Sequence, residues 1–289
     1  MGKKMMAVAV HEGDVFAYEE VERPVAGPGE LILKIEATGI CAADRKIYSR
    51  NHPWQLPDPY FPGHEYSGMV VEVGEGATEL TGFEVGQRAV AEIPIPCRRC
   101  WFCHRGLYTH CDSPRVCVGS WAEYMRVPAG AILHRIPEDF APEQAAIIEP
   151  VACSVHAVNL ARIQFADVVC VAGLGAIGLG ILQVAALKTP RALVGLDIDD
   201  GLLEVAARLG ADRVLNPRRD DIAAELARLT DGRGPDIFIE ASGSVASLRL
   251  GNGPSLAVAI LSAVGFDFFF TPPYHSFSMS DLRHTVTFG

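Results

Sequence analysis

The sequence predicts an α/β protein with two domains, a β-rich domain followed by a parallel α/β sheet. Up to about residue 135, short runs of alternating or β-branched residues such as "LILKIEA", "GMVVEVGEG" and "QRAVAEIPI" are separated by Gly and Pro. This pattern is typical of a compact, barrel-like domain. From about residue 142, segments with helical and strand periodicity alternate along the chain, and that order is typical of a parallel sheet covered by helices.

Composition and charge narrow the function classes. The chain has 289 residues, of which 49% are hydrophobic and 21% are charged, so it can bury the cores of two domains. Its formal net charge of -10 argues against a nucleic acid partner, which requires a surplus of Lys and Arg. The short apolar run after the two N-terminal lysines resembles neither a signal peptide nor an anchor, and no apolar run is long enough to span a bilayer. We therefore expect a cytoplasmic protein with no membrane partner.

The second half of the chain is interpreted as a regular series of elements. It begins with a helix in "PEQAAIIEPVACSVHAVNLAR", followed by a buried strand, a glycine turn and a helix in "ADVVCVAGLGAIGLGILQVAALK". Then come the strand "RALVGLDI", the helix "GLLEVAARLGA", the strand "DRVLNP", the helix "DIAAELARLT" and the strand "PDIFIEAS". Near residue 246 charged residues become rare, and we expect the alternation of strand and helix to stop there.

A glycine fingerprint follows the first apolar strand of this half and opens its helix. Its members are Gly173, Gly175 and Gly178. The first glycine allows a tight turn, the second lets the backbone approach a pyrophosphate, and the third lets the helix pack closely on the strand. Asp197 ends the next apolar strand, where a carboxylate accepts the ribose 2'-hydroxyl and repels a 2'-phosphate, and Asp199 and Asp200 should add to that repulsion. We therefore expect NAD rather than NADP; the alternative is a strand-helix turn that binds nothing.

Four cysteines in one polar loop have the spacing of metal ligands. They are Cys97, Cys100, Cys103 and Cys111. Four thiolates complete the tetrahedral shell of Zn2+ and leave no position for water or substrate, so the spacing predicts a structural zinc site. An iron-sulfur cluster is the competing interpretation, because C-x2-C-x2-C also suits such clusters. His104 and His110, which lie between these cysteines, are expected to be solvated loop residues.

A second set of candidate ligands is dispersed along the chain. Its members are Cys41, His64, Glu65 and Glu149. One thiolate, one imidazole and one or two carboxylates would leave an exchangeable position on Zn2+, as a catalytic metal requires. Spacing alone does not decide between this metal site and separate structural roles. In the second interpretation Cys41 is a core thiol, His64 and Glu65 are turn residues, and Glu149 is a solvated acid on a helix.

Taken together, these motifs resemble a known family. The segments "GICAAD", "PGHEYSGMVVEVGEG", the four-cysteine loop, "GSWAEYMRVP", "EPVACSVHAV", "GLGAIGLG" and "RLGADRVLNP" are similar, in order, to the zinc-containing medium-chain alcohol and polyol dehydrogenases. The likeness is greatest to the branch with sorbitol, threitol/erythritol and threonine dehydrogenases, and it covers residues from about 5 to 246. The resemblance implies a GroES-like, β-barrel-type catalytic domain over residues 1–155 and a Rossmann domain with a doubly wound parallel sheet over residues 156–246. It also implies an enzyme that transfers a hydride from a secondary alcohol of a polyol to NAD.

The resemblance assigns roles to the candidate ligands. Cys41 and His64 resemble the ligands of a catalytic zinc ion. Glu65 or Glu149 would complete its shell, and Cys153 is the alternative if Glu149 points away. The four cysteines of the loop resemble the ligands of a structural zinc ion, so that two zinc ions per subunit are implied. A homo-oligomer, dimer or tetramer, is implied as well.

Two further positions bear on proton transfer and substrate choice. Asp44 resembles the acid that orients the ligand histidine. Ala43 stands where family members often have Ser or Thr to relay the hydroxyl proton. Since alanine cannot relay a proton, this step is left to water, a substrate hydroxyl, Glu149 or another side chain. We favour a short polyol such as threitol or erythritol as the substrate, with sorbitol-like polyols and threonine left open.

Residues 247–289 depart from the family pattern. Nothing after "EASGS" resembles the continuation found in the family, so the Rossmann sheet is expected to be incomplete in the half that builds the nicotinamide pocket. A changed reading frame or a premature end of the coding sequence would explain this break. The competing functional interpretation is therefore a catalytically inactive, truncated remnant that keeps zinc and binds NAD weakly.

Overall fold

The protein is described by a computed structural model over residues 2–251 and 258–261. The chain divides into two compact units, the first ending at Glu149 and the second beginning at Pro150. This division falls inside the same helix as the predicted domain boundary after residue 155. Within the described ranges, no helix is both long and apolar enough to cross a membrane.

The first unit consists mainly of antiparallel strands. They are β1 (Lys4–His11), β2 (Val15–Glu22), β3 (Leu31–Thr38), β4 (Tyr66–Val73), β5 (Arg88–Ala91), β6 (Pro94–Ile95), β7 (Arg115–Val116), β8 (Tyr124–Val127) and β9 (Leu133–Arg135). A five-stranded sheet has the order β8-β3-β4-β5-β9, and β1-β2 and β6-β7 form two-stranded sheets. Register shifts between β3 and β4 bend the central pair. Fully buried side chains such as Leu31, Leu33, Tyr66 and Val70 form the core, which confirms the predicted β-rich domain.

Three short helices lie in the first unit. They are α1 (Ala42–Tyr48), α2 (Ala77–Thr81) and α3 (Pro142–Ala146). The single helix expected from residue 142 is in fact two, because α3 ends at Ala146 and a new helix, α4 (Ile148–Ala161), follows Ile147. Pro150 explains the break, since its ring would clash with the carbonyl of Ala146 in a continuous helix, whereas proline is tolerated in the first turn of α4.

The second unit alternates strands and helices. After α4 come β10 (Val168–Ala172), α5 (Ala176–Ala186), β11 (Ala192–Leu196), α6 (Asp200–Arg208), β12 (Arg213–Leu215), α7 (Ile222–Leu229), β13 (Ile237–Glu240), α8 (Val245–Gly251) and β14 (Val258–Leu261). The five strands are parallel in the order β12-β11-β10-β13-β14. The order reverses between β10 and β13, which is where doubly wound sheets bind their ligands.

Alternate residues of β10 supply two apolar layers. Val169 and Val171 pack with α4, α5 and α6 on one face of the sheet. Val168 and Cys170 pack with α7 on the other. Because both faces are covered, every residue of β10, β11 and β13 is buried, as expected for a parallel sheet.

The expectation that strand-helix alternation stops near residue 246 is wrong. Helix α8 and strand β14 add one further unit, with Ile237 opposite Val258 and Glu240 opposite Leu261 in parallel register. A short β-branched and aliphatic run, "VAIL", is sufficient for a strand when a buried neighbour offers a free edge. The remainder of the predicted atypical tail, residues 252–257 and 262–289, lies outside the described residues. The prediction that the sheet is incomplete concerns these residues and stays a prediction.

Candidate metal centres and dinucleotide site

Three of the dispersed candidate ligands come together in the first unit. One ligand atom each from Cys41, His64 and Glu65 lies within 4.8 Å of the others. His64 is buried, with 2% of its surface exposed, and burial raises the pKa of Glu65 while the neighbouring Cys41 thiol opposes this effect. A thiol, an imidazole and a carboxylate in this arrangement are the donor set of an open zinc site.

Helix α1 positions Cys41. This residue is the N-cap of α1, in extended conformation, and its backbone N–H donates to Oδ2 of Asp44 at 2.9 Å. Burial raises the pKa of the Cys41 thiol, and the backbone N–H of Ala43 opposes this effect. Asp44 therefore fixes the start of the helix that carries Cys41, whereas Ala43 contributes its backbone to the site. The predicted contact of Asp44 with the ligand histidine stays a prediction.

A crowded turn before β4 positions His64. Gly63 has a φ of +96°, and a Cβ at this position would lie 2.4 Å from Cδ1 of Trp121. The Gly63 carbonyl accepts hydrogen bonds from the N–H groups of Gly119 and Ser120, at 2.8 and 3.2 Å. Only glycine meets both the backbone and the space requirement, so the "GHE" order places His64 at the end of a fixed turn.

Burial controls the protonation of this cluster. It raises the pKa of Cys41 to about 12, and the negative charges of Glu65, Asp44 and Glu149 act in the same direction. Burial lowers the pKa of His64 to about 4 and raises the pKa of Asp44 to about 6. A divalent cation would reverse the effect on the thiol, because it stabilises the thiolate and binds neutral imidazole. The acidic, partly buried donor set thus fits a zinc ion.

Glu149 and Cys153 lie outside the group of three ligand atoms. Both are on α4, with Glu149 in its first turn and Cys153 half-buried. Glu149 is near enough for its charge to act on Cys41. Whether Glu65, Glu149 or Cys153 completes the metal shell therefore stays a prediction.

The four cysteines of the loop form a second cluster. Their sulfur atoms all lie within 4.8 Å of one another, and Cys103 and Cys111 are buried. Two 3-10 turns, Cys103–Arg105 and Tyr108–His110, fold the loop back on itself. The cluster contains only sulfur donors, as expected for a closed, tetrahedral zinc site.

Backbone N–H groups point at these sulfur atoms. Cys97 N–H donates to Cys111 Sγ at 3.2 Å, and Cys103 N–H donates to Cys100 Sγ at 3.4 Å. The N–H of Arg99 is the largest cause of the lowered pKa of Cys97, which is about 6. These hydrogen bonds favour thiolates, the form that ligates zinc.

The two histidines of the loop lie outside this cluster. His104 is exposed, as the sequence suggested. His110 is half-buried and stacks on Phe102, with ring centroids 5.8 Å apart, so it packs within the loop and is not fully solvated.

The glycine fingerprint forms the turn between β10 and α5. Gly173 has a φ of +87°, and a Cβ on Gly178 would lie 1.7 Å from the Gly173 carbonyl oxygen. Gly175 is the N-cap of α5, and no atom lies within 4 Å of a Cβ built there. The turn is therefore closed on the sheet side and open at the helix N-terminus, where a pyrophosphate fits.

Asp197 borders this turn. Its Oδ2 accepts the N–H of Leu174 at 2.6 Å and its Oδ1 accepts the N–H of Asp199 at 2.9 Å. Each oxygen keeps a second lone pair, so the half-buried carboxylate can still accept a ribose hydroxyl. The residues beside Asp197 are engaged elsewhere, since Asp199 caps α6 and Asp200 pairs with Arg219 at 2.6 Å.

This pairing corrects part of the argument for NAD. Arg219 balances the charge of Asp200, so repulsion of a 2'-phosphate depends mainly on Asp197. The pairing was not predictable from the sequence, because Arg219 follows a different strand, β12. Contact between Ser242 and the glycine turn was missed for the same reason: a Cβ on Gly173 would lie 2.4 Å from the Ser242 nitrogen.

Comparison with protein families gives three matches. Residues 27–138 match the alcohol dehydrogenase GroES-like domain. Residues 176–251 match the model described as zinc-binding dehydrogenase. Residues 241–289 match a domain of unknown function, DUF4118.

The chain is also similar to individual dehydrogenases. The chain is 38% identical to the erythritol/L-threitol dehydrogenase of Mycolicibacterium smegmatis, over 86% of this chain and 73% of that protein. It is 35% identical to the L-threonine 3-dehydrogenase of Pyrococcus horikoshii, over 87% and 73%. Among solved structures, a zinc-binding dehydrogenase of Sinorhizobium meliloti bound to NADP superposes with a TM-score of 0.80 at 28% identity, over 89% of this chain and 76% of that one.

Proposed function

Because the chain belongs to the zinc-containing medium-chain alcohol and polyol dehydrogenases, we propose that it oxidises a secondary alcohol of a polyol with NAD. The observation that carries this proposal is the group of buried His64 and half-buried Cys41 and Glu65, whose ligand atoms lie within 4.8 Å of one another. An open donor set of this kind leaves a position for an alcohol oxygen. The four-thiol cluster offers no such position and is assigned a structural zinc.

Each bound group supplies one part of the chemistry. Zinc supplies a Lewis acid that lowers the pKa of the substrate hydroxyl, and NAD supplies the hydride acceptor. The residues of the chain hold and orient these groups. Asp44 fixes the N-terminus of the helix that carries Cys41, and the Gly63 turn fixes His64.

The glycine turn and Asp197 are assigned to NAD. The N-terminus of α5 faces open space at Gly175, which suits the pyrophosphate. Asp197 would accept the adenosine ribose hydroxyls, and its charge favours NAD over a cofactor with a 2'-phosphate. This preference rests on Asp197, since Arg219 pairs with Asp200.

Proton transfer from the substrate must bypass residue 43. The Ala43 side chain is buried and has no atom that can accept a proton. Glu65 and Glu149 are, with Asp44, the carboxylates whose charges act on Cys41. Burial raises the pKa of Glu65, which brings this group closer to the range in which it can accept a proton near neutral pH.

The substrate class follows from the relatives. The match to an erythritol/L-threitol dehydrogenase supports a short polyol, and the match to L-threonine 3-dehydrogenases supports a secondary alcohol beside a second polar group. The chain's eight cysteines form no disulfides, which suits a reducing compartment such as the cytoplasm. Assembly as a dimer or tetramer is expected from the family resemblance.

Substitution of Cys41 tests the proposed site. Purified Cys41→Ser protein should lose turnover and about one of two zinc ions per chain, with its secondary structure retained, because serine is a poor zinc ligand. Turnover is followed as NADH formation with erythritol, threitol, sorbitol and threonine, and zinc is counted by elemental analysis. Unchanged turnover in Cys41→Ser would show that the proposed catalytic site is wrong.

Cys153→Ser is the matched control. Cys153 is a half-buried thiol on α4 outside the group of three ligand atoms, so this variant should keep its zinc and its turnover. Loss of zinc in Cys153→Ser would instead make Cys153 a ligand. A wild-type chain that holds two zinc ions and reduces no NAD with any of these substrates would favour the inactive alternative.

A further inference from the structure

Glu240 is a buried carboxylate at the end of β13. Only 2% of its surface is exposed. Its Oε1 accepts the backbone N–H of Ser242 at 2.8 Å and the Ser242 hydroxyl, and its Oε2 accepts the N–H of Gly243 at 3.1 Å. Burying a carboxylate is costly unless its oxygens are hydrogen-bonded, and here the bonds all go to the loop that follows β13.

This loop contacts the glycine fingerprint. Glu240 lies opposite Ala172, the residue before Gly173, in the register of β10 and β13, and Ala241 N–H donates to the Ala172 carbonyl at 2.7 Å. A Cβ on Gly173 would approach the Ser242 nitrogen to 2.4 Å. The position of Ser242 therefore limits where the turn at Gly173 can lie.

Two carboxylates thus hold the turn from opposite sides. Asp197, after β11, accepts the N–H of Leu174 at 2.6 Å. Glu240, after β13, holds Ser242 against Gly173. Asp197 is half-buried and is assigned to the ribose, whereas Glu240 is covered and acts only through the loop.

The topology places this loop at the binding crevice. The strand order reverses between β10 and β13, and dinucleotides bind at the carboxyl ends of the strands at such a reversal. The strands on the β11 side belong to the half that binds adenosine, and β13 begins the half that binds the nicotinamide nucleotide. Ser242 and Gly243 are exposed, so this loop can face a ligand while Glu240 cannot.

We propose that Glu240 is a positioning residue for the nicotinamide half of NAD, acting by fixing the Ser242–Gly243 loop against Gly173. The inference rests on the proposed function, because it takes NAD as the ligand of the glycine turn. The inference goes beyond the proposed function by assigning a role to a residue that touches neither the cofactor nor a metal.

The chemistry of the carboxylate distinguishes it from its amide. Both oxygens of Glu240 accept backbone N–H groups. In Glu240→Gln one of these N–H groups must face an NH2 group, whichever way the amide is turned. The variant is nearly isosteric, so it loosens the loop without opening a cavity in the sheet.

Nucleotide binding tests the inference. NADH binding is measured by fluorescence and AMP binding by calorimetry, for the wild-type chain, Glu240→Gln and Glu240→Ala. We expect the Kd for NADH to rise about tenfold or more in Glu240→Ala, and less in Glu240→Gln, as loss of hydrogen bonds to a charged group predicts. AMP binding should weaken much less, because AMP reaches the glycine turn with a single phosphate and lacks the nicotinamide half. Glu204→Gln, an exposed glutamate on α6, is the matched control and should bind both nucleotides as the wild type does.

Each outcome is decisive. Equal NADH affinity in wild type and Glu240→Gln would overturn the inference, and so would an equal loss of AMP and NADH binding, which would indicate general loosening of the unit. Failure of the wild-type chain to bind either nucleotide would overturn the proposed function instead. If Glu240→Ala does not fold, Ser242→Ala, which removes the hydroxyl donor from an exposed position, should weaken NADH binding selectively.

Discussion

At the residue scale, His11 joins segments that are far apart in the sequence. It ends β1, its Nε2 lies 3.0 Å from Oε1 of Glu19 on β2, and its Nδ1 lies 3.0 Å from Oδ1 of Asp58. These two carboxylates, Asp58 first, raise the pKa of His11. A protonated His11 therefore links the β1-β2 hairpin to the segment around Asp58 by two ion pairs. This segment leads to Gly63 and His64.

This arrangement predicts a pH-dependent contribution to stability. Because the pKa of His11 is raised in the folded chain, its contribution is fully present below the ordinary histidine pKa of about 6.5 and is lost as the pH rises through the raised value. The melting temperature of His11→Gln should thus fall below that of the wild type at pH 6, and the gap should narrow by pH 9. The same substitution in an Asp58→Asn background should show a smaller dependence on pH. A gap that widens with pH would contradict the assignment.

Residue types were predictable from the sequence, but their partners often were not. The spacing of Gly173, Gly175 and Gly178 indicated a turn, since each glycine is needed for the conformation or the close contacts of the local backbone. The contact of Ser242 with Gly173 and the pairing of Arg219 with Asp200 join residues on different strands. Such contacts depend on strand order, which periodicity does not encode.

At the element scale, the loop from Cys97 to Cys111 is held by its sulfur atoms. Cys103 and Cys111 are its buried residues, and none of its side chains belongs to the described hydrophobic core of the first unit. Ring contacts such as Trp101 with Phe102, 5.1 Å apart, are local. Without a metal, the loop would lack the apolar contacts that normally compensate for chain entropy.

Replacement of Cys100 should therefore release one metal ion. We expect Cys100→Ser to lose about one zinc ion per chain and to melt at a lower temperature, because three thiolates no longer close the tetrahedral shell. Elemental analysis and thermal melting measure the two effects. Cys117→Ala is the control: Cys117 is buried beside Tyr66 and lies outside the four-thiol cluster, so this variant should keep its zinc even if it loses stability. Full zinc content in Cys100→Ser would contradict the assignment.

Elements of the second unit were predictable where periodicity and caps agree. Helices α6 and α7 are preceded by the N-cap residues Asp199 and Asp221, whose carboxylates accept N–H groups of the first turn, and aspartate is a strong N-cap signal. The extent of α4 was missed because small aliphatic residues run through the break at Ile147. Strand β14 was missed because a four-residue apolar run gives no periodicity until a neighbouring strand is known.

At the scale of the whole molecule, the two kinds of site lie in different units. The two metal clusters are built from residues 41 to 111, within the first unit, and the glycine turn with Asp197 and Glu240 lies within the second. Each unit has its own apolar core. Local stability in a protein varies between such cooperative segments, so a ligand should protect mainly the unit that holds most of its contacts.

Hydrogen exchange followed by mass spectrometry tests this separation. Removal of zinc by a chelator should speed exchange in residues 97–111, since the sulfur cluster is what orders this loop, and should leave the buried strands β10, β11 and β13 protected. Addition of NADH should slow exchange around Gly173 and in the Ser242–Gly243 loop, by linkage of binding to stability, and should leave residues 97–111 unchanged. Loss of protection in β10 and β11 as large as that in the cysteine loop after chelation would mean that the units open together. In that case zinc would stabilise the parallel sheet as well. The conclusion that the metal clusters stabilise only the first unit, and the cofactor only the second, would then be wrong.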